Sequence, residues 1–151
     1  MRALFTHRPS LAALAIKARE GGISSHCAVD LGDLIADATF LHGVKLWPRR
    51  EFFRMHQLVA AYEVPLPATH VGLDWAAERA AEGAGYDVLR IVGYMLWRTL
   101  GSKRALSCEE LLQGALLLAG AEFATGHKRP GVRLLHEWAA AHGRDVTTDY
   151  R

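Results

Sequence analysis

The period of the hydrophobic pattern changes along this chain, and this change limits the folds that the sequence can adopt. Up to Pro67, apolar residues run in short stretches or alternate with polar ones, which is typical of β-strands. After Pro67 they recur every three or four residues, which is typical of amphipathic helices. Strands followed by helices predict an α+β fold in which a small antiparallel sheet packs against helices.

The individual elements follow from the same pattern and from the turn residues between them. Before Pro67, strands are expected over 3–7, 26–31, 34–39 and 57–64. Gly32-Asp33 reads as the turn of a hairpin, and a helix capped by Ser10 is expected to reach Glu20. After Pro67, helices are expected over about 69–82, 87–100, 107–119 and 130–142. The helix over 107–119 is apolar nearly all round, so we expect it to lie inside the domain.

Length and composition bound the class of protein. A chain of 151 residues, 50% hydrophobic and 23% charged, can bury one substantial core, and no repeat or linker divides it, so one domain over 1–151 is expected. The net charge of +2 is too small for a dedicated nucleic-acid binder. No stretch approaches the roughly 18 apolar residues of a membrane span, and Lys17 closes the short apolar run near the N-terminus, which excludes a signal peptide. Two cysteines form no disulfide framework. We therefore expect a cytoplasmic protein without an integral membrane segment.

Cys108 is the residue that points most directly to chemistry. Ser107 and Glu110 have the spacing of a capping box, which places Cys108 at the first position of the predicted buried helix. The free amides and the positive end of the helix dipole favour a thiolate there. Glu109 and Glu110 act in the opposite direction, because negative charge raises the pKa of a thiol, so a histidine partner is needed. The alternative is that Cys108 is a small buried apolar residue.

His26 is the best candidate partner, because it begins a predicted strand. Strand alternation puts His26 and Cys27 on opposite faces of the sheet. We therefore expect Cys27 to point away from the site that contains His26 and to belong to the core rather than act as nucleophile. Across the Gly32-Asp33 turn, Asp37 returns to about the level of His26. Its carboxylate could hold the imidazole in the tautomer that accepts a proton from sulfur. The alternative for the histidine and the aspartate is a surface or capping role.

Several short motifs together resemble the circularly permuted papain-like cysteine hydrolases of the NlpC type, which are related to the lecithin retinol acyltransferase group. The segment 24–29, Ser-Ser-His-Cys-Ala-Val, is similar to the histidine strand of that family, and 37–44 contains the acidic or polar residue and the Gly-Val that follow it. Gly85-Tyr86-Asp87 resembles a Gly-x-x-Tyr-Asp element. The segment 107–111 resembles the nucleophile helix, with Glu109 in place of a small hydroxyl residue. Histidine precedes cysteine, as in the permuted branch.

The resemblance covers about residues 3–120 and implies both a fold and a reaction. It implies a permuted papain-like domain in which Cys108 is the nucleophile, His26 the base and Asp37 the residue that orients His26, with acyl transfer to water as the reaction. Tyr86 is expected to donate a hydrogen bond to the substrate, or else to pack at a helix start. Residues 121–151 lie outside the resemblance and could be a helical addition.

The resemblance also bounds the substrate and the cofactors. It favours a peptide or cell-wall amide, such as a peptidoglycan fragment. The alternatives are a lipid ester, as in the acyltransferase branch, and a catalytically silent module that binds a partner in its groove. No cofactor is expected. No metal site is expected either, because the residue four after His136 is Ala140 rather than a second histidine.

Overall fold

The structure is a computed structural model that describes residues 1–7, 11–88, 105–123 and 131–150. Within these ranges it has an α+β fold, as predicted, with a six-stranded antiparallel sheet of order β4-β3-β2-β1-β5-β8. The strands are β1 Arg2–His7, β2 His26–Asp30, β3 Leu34–Thr39, β4 Gly43–Pro48, β5 Gln57–Glu63, β6 Gly85–Tyr86, β7 Ala105–Leu106 and β8 Arg144–Asp145. The helices are α1 Leu11–Glu20, α2 Arg49–Met55, α3 Thr69–Ala81, α4 Cys108–Leu118 and α5 Val132–His142, followed by the 3-10 turn Thr147–Tyr150. Strands β6 and β7 form a separate parallel pair.

The main sheet is buried on both faces. Alternate residues of β1 show this, because Phe5 belongs to the cluster that contains the apolar side of α4, whereas Leu4 belongs to a smaller cluster around Phe52 of α2. The larger cluster also takes in Leu135 of α5. Burial on both sides explains why β1 and β2 read as continuous apolar runs instead of strictly alternating ones.

The predicted hairpin forms with the expected turn. Strands β2 and β3 pair in antiparallel register, Val29 opposite Ala36, and the amide of Leu31 donates to the carbonyl of Leu34 at 2.9 Å, which leaves Gly32 and Asp33 as the two turn residues. Gly32 has a φ of +103°, a conformation that glycine adopts without strain. This turn sets the register that brings β3 back beside His26.

Helix α4 begins where the capping box predicted. The backbone amide of Ser107 donates to Glu110 Oε2 at 3.0 Å, and the Ser107 hydroxyl donates to the same oxygen at 3.0 Å. The capping box is therefore confirmed, and Cys108 is the first residue of the helix.

We expect Ser107→Ala to lower the free energy of unfolding by about 0.5–2 kcal/mol, the usual cost of losing a serine cap. Chemical denaturation of the variant beside wild type would measure it. Thr148→Ala, at an exposed position of the C-terminal 3-10 turn, is a suitable control. Equal stabilities for Ser107→Ala and wild type would contradict the role of this cap.

Helices α3 and α4 approach each other at Gly72. A Cβ added to this glycine would lie 2.2 Å from the carbonyl oxygen of Ala115 and 3.1 Å from the Cβ of Ala119, so no side chain fits between the two backbones. The close contact helps fix α4, and with it Cys108, against the sheet.

We expect Gly72→Ala to destabilise the protein by about 1–3 kcal/mol, because backbone atoms must move to admit the methyl group. The control must measure the ordinary difference in helix propensity between glycine and alanine, and Ala77→Gly on the same helix does so. Gly83→Ala does not, because Gly83 has a φ of +64°, where any side chain is strained. Thermal or denaturant unfolding would test this. A Gly72→Ala variant as stable as wild type, or more stable, would contradict the close approach.

The hydrophobic pattern did not predict every element. No element was assigned to 43–55, where the structure has β4 and α2. In the edge strand β4 only Val44 is buried, so the hydrophobic pattern there is weak. The two-residue strands β6, β7 and β8 interrupt a region that was expected to be almost entirely helical. The helices predicted over 69–82, 107–119 and 130–142 are confirmed as α3, α4 and α5, apart from the part of the last that lies outside the described residues. Of the helix predicted over 87–100, residues 89–100 lie outside the described ranges.

The C-terminal part of the chain contacts the main fold directly. Val132, Leu135 and Ala139 of α5 are buried in the larger cluster, and β8 pairs with β5 at the edge of the sheet. Throughout the described ranges, no helix is both long enough and apolar enough to cross a membrane.

Candidate active site

The centre of the candidate site is an ion pair between neighbouring strands. His26 begins β2 and Asp37 lies on β3, on the same face of the sheet, and His26 Nε2 is 2.6 Å from Asp37 Oδ1. Asp37 is fully buried, and its second oxygen, Oδ2, has no hydrogen-bond partner among the described residues. Because a carboxylate only accepts, His26 Nε2 carries the proton, and Nδ1 is the ring nitrogen that can take up another.

The pairing with Asp37 helps to raise the pKa of the His26 imidazole. Burial disfavours the charged ring, but the negative charge of Asp37 and interactions with Cys108, including a side-chain hydrogen bond, outweigh it, so the pKa of His26 is raised well above its ordinary value. The influence of Cys108 on this pKa links the thiol electrostatically to the imidazole. The structure thus brings together the three residues that the sequence singled out as nucleophile, base and orienting group.

The Cys108 thiol is held in its protonated form. The helix N-terminus favours a thiolate, but the negative charge of Glu109 acts against it, as expected from the sequence. Its Sγ is buried and donates a hydrogen bond to Glu109 Oε2 at 3.3 Å. A hydrogen bond with Cys27, burial and the negative charge of Glu109 raise the pKa of Cys108 well above its ordinary value, while His26 acts to lower it. The helix dipole is therefore outweighed by the immediate neighbours of the sulfur.

Cys27 is closer to the site than strand alternation predicted. It is buried in the core, as expected, but it belongs to the same buried cluster as Cys108, and each thiol influences the pKa of the other. The physical reason is that α4 packs on the face of the sheet to which Cys27 belongs, and its first residue reaches the end of β2 where His26 begins. Burial raises the pKa of Cys27 too, so both thiols are neutral.

Tyr86 lies at the margin of this group. Burial raises the pKa of Tyr86, and the negative charges of Glu109 and Asp37 act in the same direction, so the phenol keeps its proton and can act as a donor. Its ring makes an edge contact with Phe40, whose centroid is 6.4 Å away. The structure places Tyr86 near the nucleophile but records no hydrogen bond from it to the other site residues among those described.

The two serines before His26 anchor the start of β2. Ser24 Oγ lies 3.1 Å from Nδ1 of His136 on α5, and His136 Nε2 lies 3.3 Å from the hydroxyl of Tyr62. Ser25 Oγ lies 3.0 Å from Nδ1 of His7 on β1. Burial lowers the pKa of His136, which keeps its ring neutral at physiological pH. The segment that carries His26 is thus tied by side chains to β1, β5 and α5.

A second imidazole, that of His56, lies against the ring of His26, and sequence reasoning missed it. His56 directly follows α2 and stacks on His26 with centroids 5.0 Å apart and planes 13° apart. Nitrogen or oxygen atoms of His26, Asp37 and His56 lie within 4.8 Å of one another, and within the described ranges no other group of this kind does so. Two imidazoles and a carboxylate suit a transition metal, but near-parallel rings direct their in-plane lone pairs side by side rather than at a common point. The sequence offered no signal for His56 beyond its place after Phe52 and Phe53.

Comparison with known proteins adds no identification. No protein-family model matches the chain, and no curated protein matches it significantly. The class of the site is therefore defined by its own geometry: a thiol at a helix N-terminus beside a buried histidine–carboxylate pair.

Proposed function

We propose that this protein is a cysteine hydrolase with a permuted papain-like fold, which transfers an acyl group to water through an acyl-enzyme. The observation that supports this best is the buried imidazole of His26, whose Nε2 lies 2.6 Å from Asp37 Oδ1 and whose pKa is influenced by Cys108 at the first residue of α4. Nucleophile, base and orienting carboxylate within hydrogen-bond reach are the requirements for nucleophilic acyl transfer.

The steps assign a role to each group. His26 takes the thiol proton as Cys108 Sγ forms a bond to the carbonyl carbon, and the resulting oxyanion is stabilised by backbone amides at the start of α4 and by Tyr86. The imidazolium returns the proton to the leaving group as its bond to carbon breaks, which leaves a thioester. Water, deprotonated by His26, then hydrolyses the thioester and restores the thiol. Asp37 stabilises the imidazolium both during formation of the thioester and during its hydrolysis.

The substrate class rests on the resemblance of the sequence motifs. It favours a peptide or cell-wall amide, with a lipid ester as the alternative. A silent binding module is the second candidate, and one observation favours it: the hydrogen bond from Cys108 to Glu109, which keeps the thiol protonated at rest.

An activated ester separates these candidates. Incubation with p-nitrophenyl acetate should release p-nitrophenol and leave an acetyl group on Cys108, detected by intact mass and peptide mapping. Cys108→Ser should lose the thioester, whereas Cys27→Ala, which removes the neighbouring thiol, should keep it. Peptidoglycan fragments and lipid esters can then be compared as substrates. Absence of an adduct, or an adduct on Cys27, would favour the binding module.

The pH dependence follows from the raised pKa of His26. A general base must be neutral, so kcat/KM should increase as pH rises through the pKa of His26, and this acidic limb should lie above the 6.5 of an ordinary histidine. Because Asp37 raises that pKa, Asp37→Asn should move the limb to lower pH. A profile of kcat/KM against pH for both proteins tests this. A limb that stays in place, or moves upward, would contradict the pairing.

A further inference from the structure

Two flat rings, those of His56 and Phe52, are stacked behind the imidazole of the candidate base His26. The Phe52 and His56 rings have centroids 4.3 Å apart and planes 19° apart, and the His56 and His26 rings follow at 5.0 Å and 13°. Phe52 is fully buried and His56 nearly so. The stack therefore connects the hydrophobic cluster under α2 to the imidazole that faces Asp37 and Cys108.

The orientation of His56 is fixed from its own backbone. Its Nδ1 lies 3.2 Å from the carbonyl oxygen of Phe52, and its backbone amide donates to the same oxygen at 3.0 Å. A carbonyl only accepts, so Nδ1 carries the proton and the ring presents a fixed face to His26. Packing against Phe52 on the other side prevents this ring from tilting.

His26 needs such a support. It is the first residue of β2, its side chain is 12% exposed, and its ring would otherwise be free to turn about the Cβ–Cγ bond. Turning would separate Nε2 from Asp37 Oδ1 and move Nδ1 relative to the sulfur. A flat ring stacked on one face allows the plane observed and opposes others.

Building on the proposed function, we propose that His56 is a positioning residue: its ring, stacked between Phe52 and His26, fixes the plane of the His26 imidazole so that Nε2 stays on Asp37. His56 does not contact the reacting atoms and acts through His26. The titratable groups that face His26 among the described residues come from three elements: Asp37 from β3, Cys108 from α4, and His56 from the connection between α2 and β5.

Two variants separate the flat face of His56 from its hydrogen bond. His56→Phe keeps a flat ring, and His56→Leu keeps an apolar side chain without one. Because both lose the Nδ1 proton, their difference does not come from that hydrogen bond; it reports the flat aromatic face together with the larger volume of phenylalanine. His42→Leu, at an exposed histidine in the turn between β3 and β4, controls for the loss of any histidine.

The readouts are the ¹⁵N NMR titration of His26 and the rate of acetylation of Cys108 by p-nitrophenyl acetate. In His56→Leu we expect the pKa of His26 to fall towards its ordinary value and acetylation to slow by roughly 10- to 100-fold, the range typical of a misplaced catalytic group. His56→Phe should retain the wild-type titration and most of the rate. Unfolding free energies of all variants show whether each is folded.

Two results would overturn the proposal: wild-type titration of His26 in both variants, or an equal change in both, which would assign the effect to the hydrogen bond instead of the stacked face. The NMR titration does not depend on turnover. Failure of the hydrolase proposal, seen as a lack of any Cys108 adduct in wild type, is therefore distinguishable from failure of the role assigned to His56.

Discussion

Cys108→Ala and His26→Ala should each reduce hydrolysis by roughly 10⁶-fold, and the double variant should be no worse than either single one, because nucleophile and base act as one unit. Asp37→Asn should cost less, about 10⁴-fold, since the orienting carboxylate fixes the tautomer and stabilises the imidazolium without touching the substrate. Single-turnover and steady-state rates with the same activated ester would measure all four variants.

Asp33→Asn is the matched control for the carboxylate. Asp33 lies in the exposed turn of the same hairpin, four residues before Asp37 in the sequence, and faces solvent. It should keep the wild-type rate. If Cys108→Ala retained hydrolysis, or if Asp33→Asn lost as much as Asp37→Asn, the assignment of the three residues would be wrong.

Glu109→Gln should make the Cys108 thiol more reactive. The variant removes a buried negative charge and replaces the charged acceptor of the 3.3 Å hydrogen bond from Sγ with a neutral amide oxygen, a weaker acceptor, and both changes lower the pKa of the thiol. A hydrogen bond to a charged group contributes about 1.5–3 kcal/mol, and about 1.4 kcal/mol corresponds to tenfold. We therefore expect Cys108 to be alkylated by iodoacetamide at least roughly tenfold faster at neutral pH.

Two comparisons sharpen this experiment. Glu109→Ser, which restores the small hydroxyl residue of the family that the sequence resembles, should shift the thiolate absorbance titration in the same direction as Glu109→Gln. Glu51→Gln, at an exposed position of α2, should leave it unchanged. A thiol pKa in Glu109→Gln equal to or above that of wild type would show that Glu109 is not what holds the proton on sulfur.

The parts of the site that the sequence could predict are those set by local rules. Two-residue periodicity and the Gly32-Asp33 turn fix the register that puts Asp37 diagonally across from His26, and the capping box fixes Cys108 at the start of α4. Each of these rules depends only on residues close together in the chain, so it can be applied to a single sequence. Both features are present in the structure.

The parts that the sequence could not predict depend on packing between distant elements. Strand alternation correctly placed Cys27 in the core, but it could not show that α4 covers that face and brings Cys108 to it. Nor could it show that His56 stacks on His26, because that contact depends on where α2 lies relative to the sheet. The sequence did indicate that Glu109 raises the pKa of the Cys108 thiol, but not that Cys27 and burial raise it too, because both depend on how α4 packs against the sheet.

The chain separation of the site residues has a consequence for the order of folding. His26 and Asp37 belong to one tight hairpin, and contacts between residues close in sequence form early because little loop entropy is lost. Cys108 reaches them only when α4 docks from the far half of the chain. We therefore expect thiol reactivity to change last during refolding, so that pulsed alkylation of Cys108 would time the completion of the fold.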